Sequence, residues 1–159
     1  MEHLFSPWRM KYFDRDKSSK VCAFCEALKQ EDGPGNLIVY RGNFAFVILN
    51  LYPYTSGHLM VVPYVHCDTL ENLPASTQAE MMELTTKAVS VLKKIYHPQG
   101  FNVGINIGSA AGAGIAEHLH MHVVPRWGGD ANFISVVGGT RVLPETLEDT
   151  YTRLHHGWE

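Results

Sequence analysis

The sequence predicts an α+β fold, an antiparallel sheet carrying one long helix and a shorter C-terminal one. Three patterns predict it. Short apolar runs broken by turn residues fill Leu37 to Pro63, a stretch of helical spacing ends near Tyr96, and two further strand-like segments follow. The resulting order, β-β-β-α-β-β-α, places a meander before the helix and strands after it, as in α+β domains rather than parallel α/β ones.

The first strand is Leu37-Ile38-Val39-Tyr40, closed by a turn at Arg41-Gly42-Asn43. The second runs from Phe44 to Leu49, and a turn around Pro53 to Gly57 leads to the third, Leu59-Met60-Val61-Val62. Thr77-x-x-Glu80 reads as a capping box opening the long helix, in which Met81, Leu84, Ala88, Val91, Leu92 and Ile95 form one apolar stripe. Phe101 to Ile107 and His118 to Pro125 return to strand character. Leu147, Tyr151 and Leu154 mark a short last helix opened by Pro144.

A length of 159 residues predicts one domain able to bury its own core. Within it, residues 1–36 form an N-terminal arm, 37–137 the core, and 138–159 a C-terminal helix and tail. Thirteen Lys and Arg against sixteen Asp and Glu give a formal charge of −3, so no broad basic surface exists to hold nucleic acid. The aromatic and basic lead-in around Trp8, Arg9, Lys11 and Tyr12 carries too few charges to change that, and packing of Trp8 is the simpler reading. The start of the chain lacks a secretory pattern and no apolar run approaches a membrane span, which predicts a cytoplasmic protein without a membrane partner. Three cysteines, an odd number, argue against a disulfide framework in that compartment.

The chemistry-bearing segment is His118-Leu119-His120-Met121-His122-Val123-Val124-Pro125-Arg126. In a strand, alternate side chains share a face, so the three histidines project together while Leu119, Met121 and Val123 enter the core. Just upstream, Gly108-Ser109-Ala110-Ala111-Gly112-Ala113-Gly114 can turn backbone N–H groups inward as an anion nest. Neutral imidazole is a competent nucleophile near pH 7, and imidazoles beside a phosphate cradle point to phosphoryl or nucleotidyl transfer. The rival readings are a solvated strand face and a zinc site built on the histidines themselves.

The run from His118 to Val124 resembles, at every position, the histidine triad (HIT) motif His-φ-His-φ-His-φ-φ, with φ apolar. The likeness extends over nearly the whole chain, through Phe44–Asn50, Ser56-Gly57-His58-Leu59-Met60-Val61-Val62-Pro63, His66 and the glycine-rich loop. The lead-in Ser6 to Tyr12 and the segment Pro125 to Phe133 are most similar to the bacterial diadenosine tetraphosphate phosphorylase branch. The resemblance implies a HIT-like fold, a homodimer, and a nucleotide lying across the sheet. It implies His120 as the nucleophile on the α-phosphate, His122 as hydrogen-bond partner of the phosphate or leaving group, and His118 as the residue orienting them. Asn50 matches the family's ribose-binding position and Asn106 a polar residue near the phosphates, with Ser109, Gly112, Ala113 and Gly114 in the phosphate loop. An isolated Asn is also a common turn residue. The loop reads Ala113-Gly114-Ile115 where many members carry Gln followed by Ser or Thr, so leaving-group help must come from Ser109 or backbone N–H groups. That departure favours the phosphorylase-like branch over a second reading, phosphoramidate or aminoacyl-adenylate hydrolysis. A zinc-stabilised nucleotide-binding module with little catalysis is the reading outside the enzymes.

Cys22-Ala23-Phe24-Cys25 has the knuckle spacing with which two thiolates grip a tetrahedral zinc, and it needs two further ligands. His66 and His118 are the candidates, and the resemblance supports them: some HIT proteins and the related hexose-phosphate uridylyltransferases pair such cysteines with a His after the third strand and the first triad His. The zinc would then be structural and His120 free for chemistry. Reduced, unliganded thiols are the alternative. Cys67 reads as a packed cysteine, and His58, at the start of a strand, is set aside as non-catalytic.

Overall fold

The computed structural model describes residues 21–131, 135, 137 and 143–159. The lead-in around Trp8 and Tyr12, and Asn132-Phe133, lie outside them. A short helix α1 (Ala23–Ala27) precedes the strands β1 (Ile38–Arg41), β2 (Ala45–Leu49) and β3 (Leu59–Pro63). The long helix α2 (Ala75–Tyr96), strand β4 (Gly100–Ile105), a 3-10 turn at Ser109–Ala111, strand β5 (Met121–Arg126) and helix α3 (Leu147–Trp158) complete the order. The predicted α+β sequence of elements is therefore present, with α1 added on the Cys pair.

The five strands form one antiparallel sheet in the order β1-β2-β3-β5-β4. Every residue of β2 and β3 is buried, because the centre of the sheet is covered on both faces. Continuous apolar runs such as Ala45–Leu49 are the sequence form of that burial. Helix α2 lies on β2, β3 and β5, and α3 packs against α2 and β1. Met81, Leu84, Ala88, Val91 and Leu92 of α2 are buried, confirming the predicted stripe, and each large member contributes about 1.5–3 kcal/mol of transfer free energy. The helix closes on His97 in the left-handed conformation, whose N–H returns to the Lys93 carbonyl. Gly57, at φ +77°, sits where a Cβ would come within 2.8 Å of Leu92 Cδ2, so this turn admits no side chain.

Two helix starts differ from expectation. Helix α2 starts at Ala75 with Pro74 as its N-cap, and no side chain caps it, so Thr77 and Glu80 do not form a capping box. Thr77 is buried, and the Glu80 carboxylate instead accepts N–H bonds from Asn43 (2.8 Å), Phe44 and Ala45 (2.8 Å) in the β1–β2 turn. Three converging donors outside the helix outcompete one orphan N–H within it. Helix α3 opens on Thr146, not Pro144, with the Thr146 hydroxyl accepting the Asp149 N–H at 3.1 Å.

Burial raises the Glu80 pKa, but the N–H bonds from Asn43, Phe44 and Ala45 outweigh it and hold the carboxyl below its ordinary range. A depressed folded-state pKa contributes stability that is present above the unfolded pKa and is lost as pH falls through the folded one. Glu80→Ala is therefore expected to lower unfolding stability at pH 7 by roughly 1–2 kcal/mol, the scale of a lost charged cap. Denaturant midpoints should show the gap to wild type closing as the pH drops below the carboxylate range; a constant gap would mean that the charge is not what stabilises.

Candidate active site

Strand β5 runs between β3 and β4, with His122 opposite Met60 on one side and Gly104 on the other. Opposed residues in an antiparallel pair share a face, so His122, Met60 and Gly104 do, and His58, two residues before Met60, joins them. A Cβ at Gly104 would meet nothing within 4 Å, which leaves open space beside His122. The strand starts at Met121, not at His118 as the sequence predicted. Residues 118–120 leave the ladder because their polar groups have other partners. The Leu119 N–H donates to the Cys67 carbonyl at 2.7 Å and the His118 N–H to the Ile115 carbonyl at 3.4 Å. Leu119, Met121 and Val123 are buried as expected, while His118 and His120 are buried too, at 0% and 4% exposure.

Hydrogen bonds fix each ring. The His118 Nε2–H donates to the Pro63 carbonyl at 2.9 Å, because a carbonyl only accepts, and this leaves Nδ1 unprotonated. By the same logic the His120 Nδ1–H donates to the His118 carbonyl at 2.8 Å, leaving Nε2 of His120 with a lone pair. His58 completes the set, although the sequence reading set it aside. Its Nδ1 accepts the Tyr54 N–H at 3.1 Å, so its Nε2–H donates to His122 Nδ1 at 3.0 Å. His122 is then the Nε2–H tautomer. Its ring centroid lies 4.8 Å from that of His120 at 72°. A ring with a lone-pair nitrogen and a ring with an N–H donor thus pack edge to face. Burial lowers the pKa of His118, His120 and His122, that of His122 to about 4 with His120 adding to the effect, so all three are neutral near pH 7.

Asn50, at the end of β2, accepts the Tyr52 N–H on Oδ1 at 2.9 Å and lies 3.3 Å through Nδ2 from His58 Nδ1. Its turn geometry and its place beside the histidines therefore coexist. Strand β4 ends at Ile105 opposite Met121, so half-buried Asn106 and the glycine loop leave the sheet beside His120. In that loop Gly108 and Gly112 hold φ of +81° and +88°, and bonds from the Ala111 and Gly112 N–H groups to Gly108 and Ser109 carbonyls shape the turn. Ser109 and Gly114 are exposed, and Ala113 is half-buried.

The Cys pair reaches the same region. Cys22 Sγ lies 3.3 Å from His118 Nδ1, Cys25 Sγ lies 3.7 Å from that atom, and Cys25 Sγ lies 3.4 Å from His66 Nδ1. All four ligand atoms fall within 4.8 Å of one another. Bond lengths of about 2.3 Å to sulfur and 2.0–2.1 Å to nitrogen around a tetrahedral ion put S and N roughly 3.5 Å apart. Cys67 stays outside the cluster, and its role is its carbonyl on Leu119. Among the described residues, no helix is long and apolar enough to cross a membrane.

An antiparallel sheet that presents alternating, neutral, tautomer-fixed histidines beside a glycine loop defines the histidine triad class. The comparisons with known proteins agree. Residues 34–129 match the HIT domain, and the chain belongs to the HIT family. It is 47% identical over 166 residues to the AP-4-A phosphorylase of Mycobacterium tuberculosis, an alignment spanning 99% of this chain and 85% of that protein. A Zn-bound histidine triad family protein from Mycobacterium smegmatis superposes with a TM-score of 0.70 at 28% identity, over 89% of this chain and 95% of that one. A hypothetical histidine triad nucleotide-binding protein from Sulfolobus tokodaii gives 0.69 at 26% identity, over 86% and 91%.

The His122 shift has a consequence for stability. Its folded pKa, about 4, lies below the ordinary 6.5, so between those values the unfolded chain binds more protons and stability falls as the pH is lowered. His122→Gln is expected to flatten the melting temperature against pH from 6.5 to 4.5 relative to wild type. Identical slopes would show that His122 does not titrate as its burial requires.

Proposed function

We propose that the protein cleaves dinucleoside polyphosphates by two in-line displacements through His120, as a diadenosine tetraphosphate phosphorylase. One observation carries the reading: the Nε2 lone pair of His120 stands next to the Nε2–H of His122, both rings neutral and held by bonds at their other nitrogens. His120 Nε2 attacks the α-phosphorus and the polyphosphate leaves, ATP in the case of diadenosine tetraphosphate. A nucleotidyl-imidazole remains. Inorganic phosphate then attacks the same phosphorus, the P–N bond breaks, and ADP is released. The His122 N–H stabilises charge on a non-bridging or leaving oxygen, where a fixed donor in a buried site acts most strongly. Asn50 meets the ribose, while Asn106, Ser109, Gly112, Ala113 and Gly114 line the phosphates. The M. tuberculosis relative supports the substrate class and the phosphate acceptor.

Cys22, Cys25, His66 and His118 fit a structural zinc. Three S···N separations of 3.3, 3.4 and 3.7 Å suit a tetrahedral S2N2 set, and the Pro63 carbonyl holds the His118 proton on Nε2, which frees Nδ1 as the ligand. Burial raises the Cys22 pKa, and a cation held there would favour the thiolate instead. Held by these four residues, a zinc ion would cross-link α1 to His66 and to His118. Two further features complete the reading: a homodimer, for which the edge strand β4 with exposed Asn102 and Val103 offers a surface, and a cytoplasmic location, which suits three cysteines that form no disulfide.

Product analysis of diadenosine tetraphosphate with and without inorganic phosphate tests the activity. ADP formed only with phosphate is the expected result; AMP with ATP in its absence would make the enzyme a hydrolase, and no reaction in either tube would favour phosphoramidate substrates or a binding module. His120→Ala should lower turnover by at least a thousandfold with little change in nucleotide affinity, since the nucleophile serves the transition state. Wild-type rates in that variant would end the mechanism. Cys22→Ser is expected to lose bound zinc and melt several degrees lower, on the scale of a lost structural ligand. Unchanged melting and no zinc in the wild type would remove the metal.

A further inference from the structure

The zinc knuckle carries a residue that the mechanism above does not use. Phe24 lies between Cys22 and Cys25 and is 3% exposed. Its ring packs on two histidines at once, with centroids 5.4 Å from His118 at 78° and 5.1 Å from His120 at 54°. These are favourable aromatic separations. The His120 imidazole is therefore flanked by Phe24 and by His122, and tied at Nδ1 to the His118 carbonyl. The hydrogen bond fixes which nitrogen carries the proton. A single hydrogen bond of 2.8 Å anchors Nδ1 but tolerates a modest rocking of the ring about Cβ–Cγ, and rocking swings the Nε2 lone pair off the attack line. In-line displacement needs reacting atoms about 3–3.5 Å apart and aligned, and an error of 1 Å costs on the order of a hundredfold.

We propose that Phe24 is a positioning residue for the nucleophile: wedged between the two cysteines, its ring holds the His120 imidazole at the angle from which Nε2 meets the α-phosphorus. The inference rests on His120 being the nucleophile. It links the metal cluster to the chemistry by a second route, since the Sγ atoms of the flanking Cys22 and Cys25 belong to that cluster and so place the phenyl ring. The His118 carbonyl is the first route.

A residue that only filled space would tolerate another apolar side chain of similar bulk. Phe24→Leu keeps most of the packing while removing the flat face, and Phe24→Ala removes both. For Phe24→Leu the expected result, with diadenosine tetraphosphate and phosphate, is a kcat lowered about tenfold, KM within twofold of wild type, and zinc content unchanged. Long-range 1H–15N spectra of the same variant, without substrate, should show the His120 ring signals broadened or split. Phe24→Ala should lose more in kcat where it folds. Wild-type kcat in Phe24→Leu, or a loss that tracks zinc content or appears in KM alone, would overturn the proposal while an inactive His120→Ala kept the nucleophile. Full turnover by His120→Ala would remove the nucleophile reading, and this inference with it.

Discussion

The hydrogen bond from His118 Nε2–H to the Pro63 carbonyl is the constraint on which the site depends. Pro63 ends β3, next to β5, so the bond ties the segment before β5 to the most buried part of the sheet. Once Nε2 of His118 is a donor, its Nδ1 keeps a lone pair, and the side chains of Cys22, Cys25 and His66 gather around that atom. Once the His118 ring is fixed at both nitrogens its carbonyl is fixed as well, and the carbonyl sets the tautomer of His120. One residue with no exposed surface thus packs its ring among Cys22, Cys25 and His66 and holds the His120 ring through its carbonyl. Breaking either contact leaves a buried polar group without a partner, which costs more than the contact itself contributes.

The fold exists to make such burial affordable. Neutral imidazoles in a dry site require walls, and the sheet order supplies them by inserting β5 between β3 and β4 instead of leaving it at an edge. Beneath, Met121 and Val123 enter the core, where the Thr85 hydroxyl of α2 meets Met121 Sδ at 3.0 Å. Above, His58 arrives from the turn before β3 and Phe24 from α1. Segments more than ninety residues apart, such as Cys22 and His118, meet only because α1 folds back on the strand ends. That is an ordering cost the apolar core must offset.

Much of this was legible in the sequence, and the failures share a cause. The elements, the helix stripe and the alternation of core and histidine positions follow from local periodicity, which depends on nothing distant. Glu80 was misread because its partners, the Asn43, Phe44 and Ala45 N–H groups, lie across the sheet, and a three-residue spacing cannot reveal donors nearly forty residues away. His58 was passed over for a similar reason. The signal was present in Ser56-Gly57-His58 and in period-two parity, but it becomes informative only once Met60 is known to face His122. That Cys22, Cys25, His66 and His118 cluster was within reach because a Cys-x-x-Cys pair points to two further partners. Phe24 carried no signal, since an apolar residue inside a knuckle has no spacing that names its contact.

Ring-nitrogen accounting explains why the site is suited to phosphorus. His58, His118, His120 and His122 bring eight ring nitrogens, and among the described residues six have partners: both of His58, both of His118, Nδ1 of His120 and Nδ1 of His122. The two left over are the Nε2 atoms of His120 and His122. The tautomers give the first a lone pair and the second a proton. A group that fits both must be electrophilic at one atom and carry an acceptor oxygen on the next, and a phosphoryl group does. Two free lone pairs would have suited a cation, and two free N–H groups would have bound phosphate without attacking it. The relay from the Tyr54 N–H through His58 produces the mixed pair, so a backbone amide in the β2–β3 turn decides what the catalytic face can do.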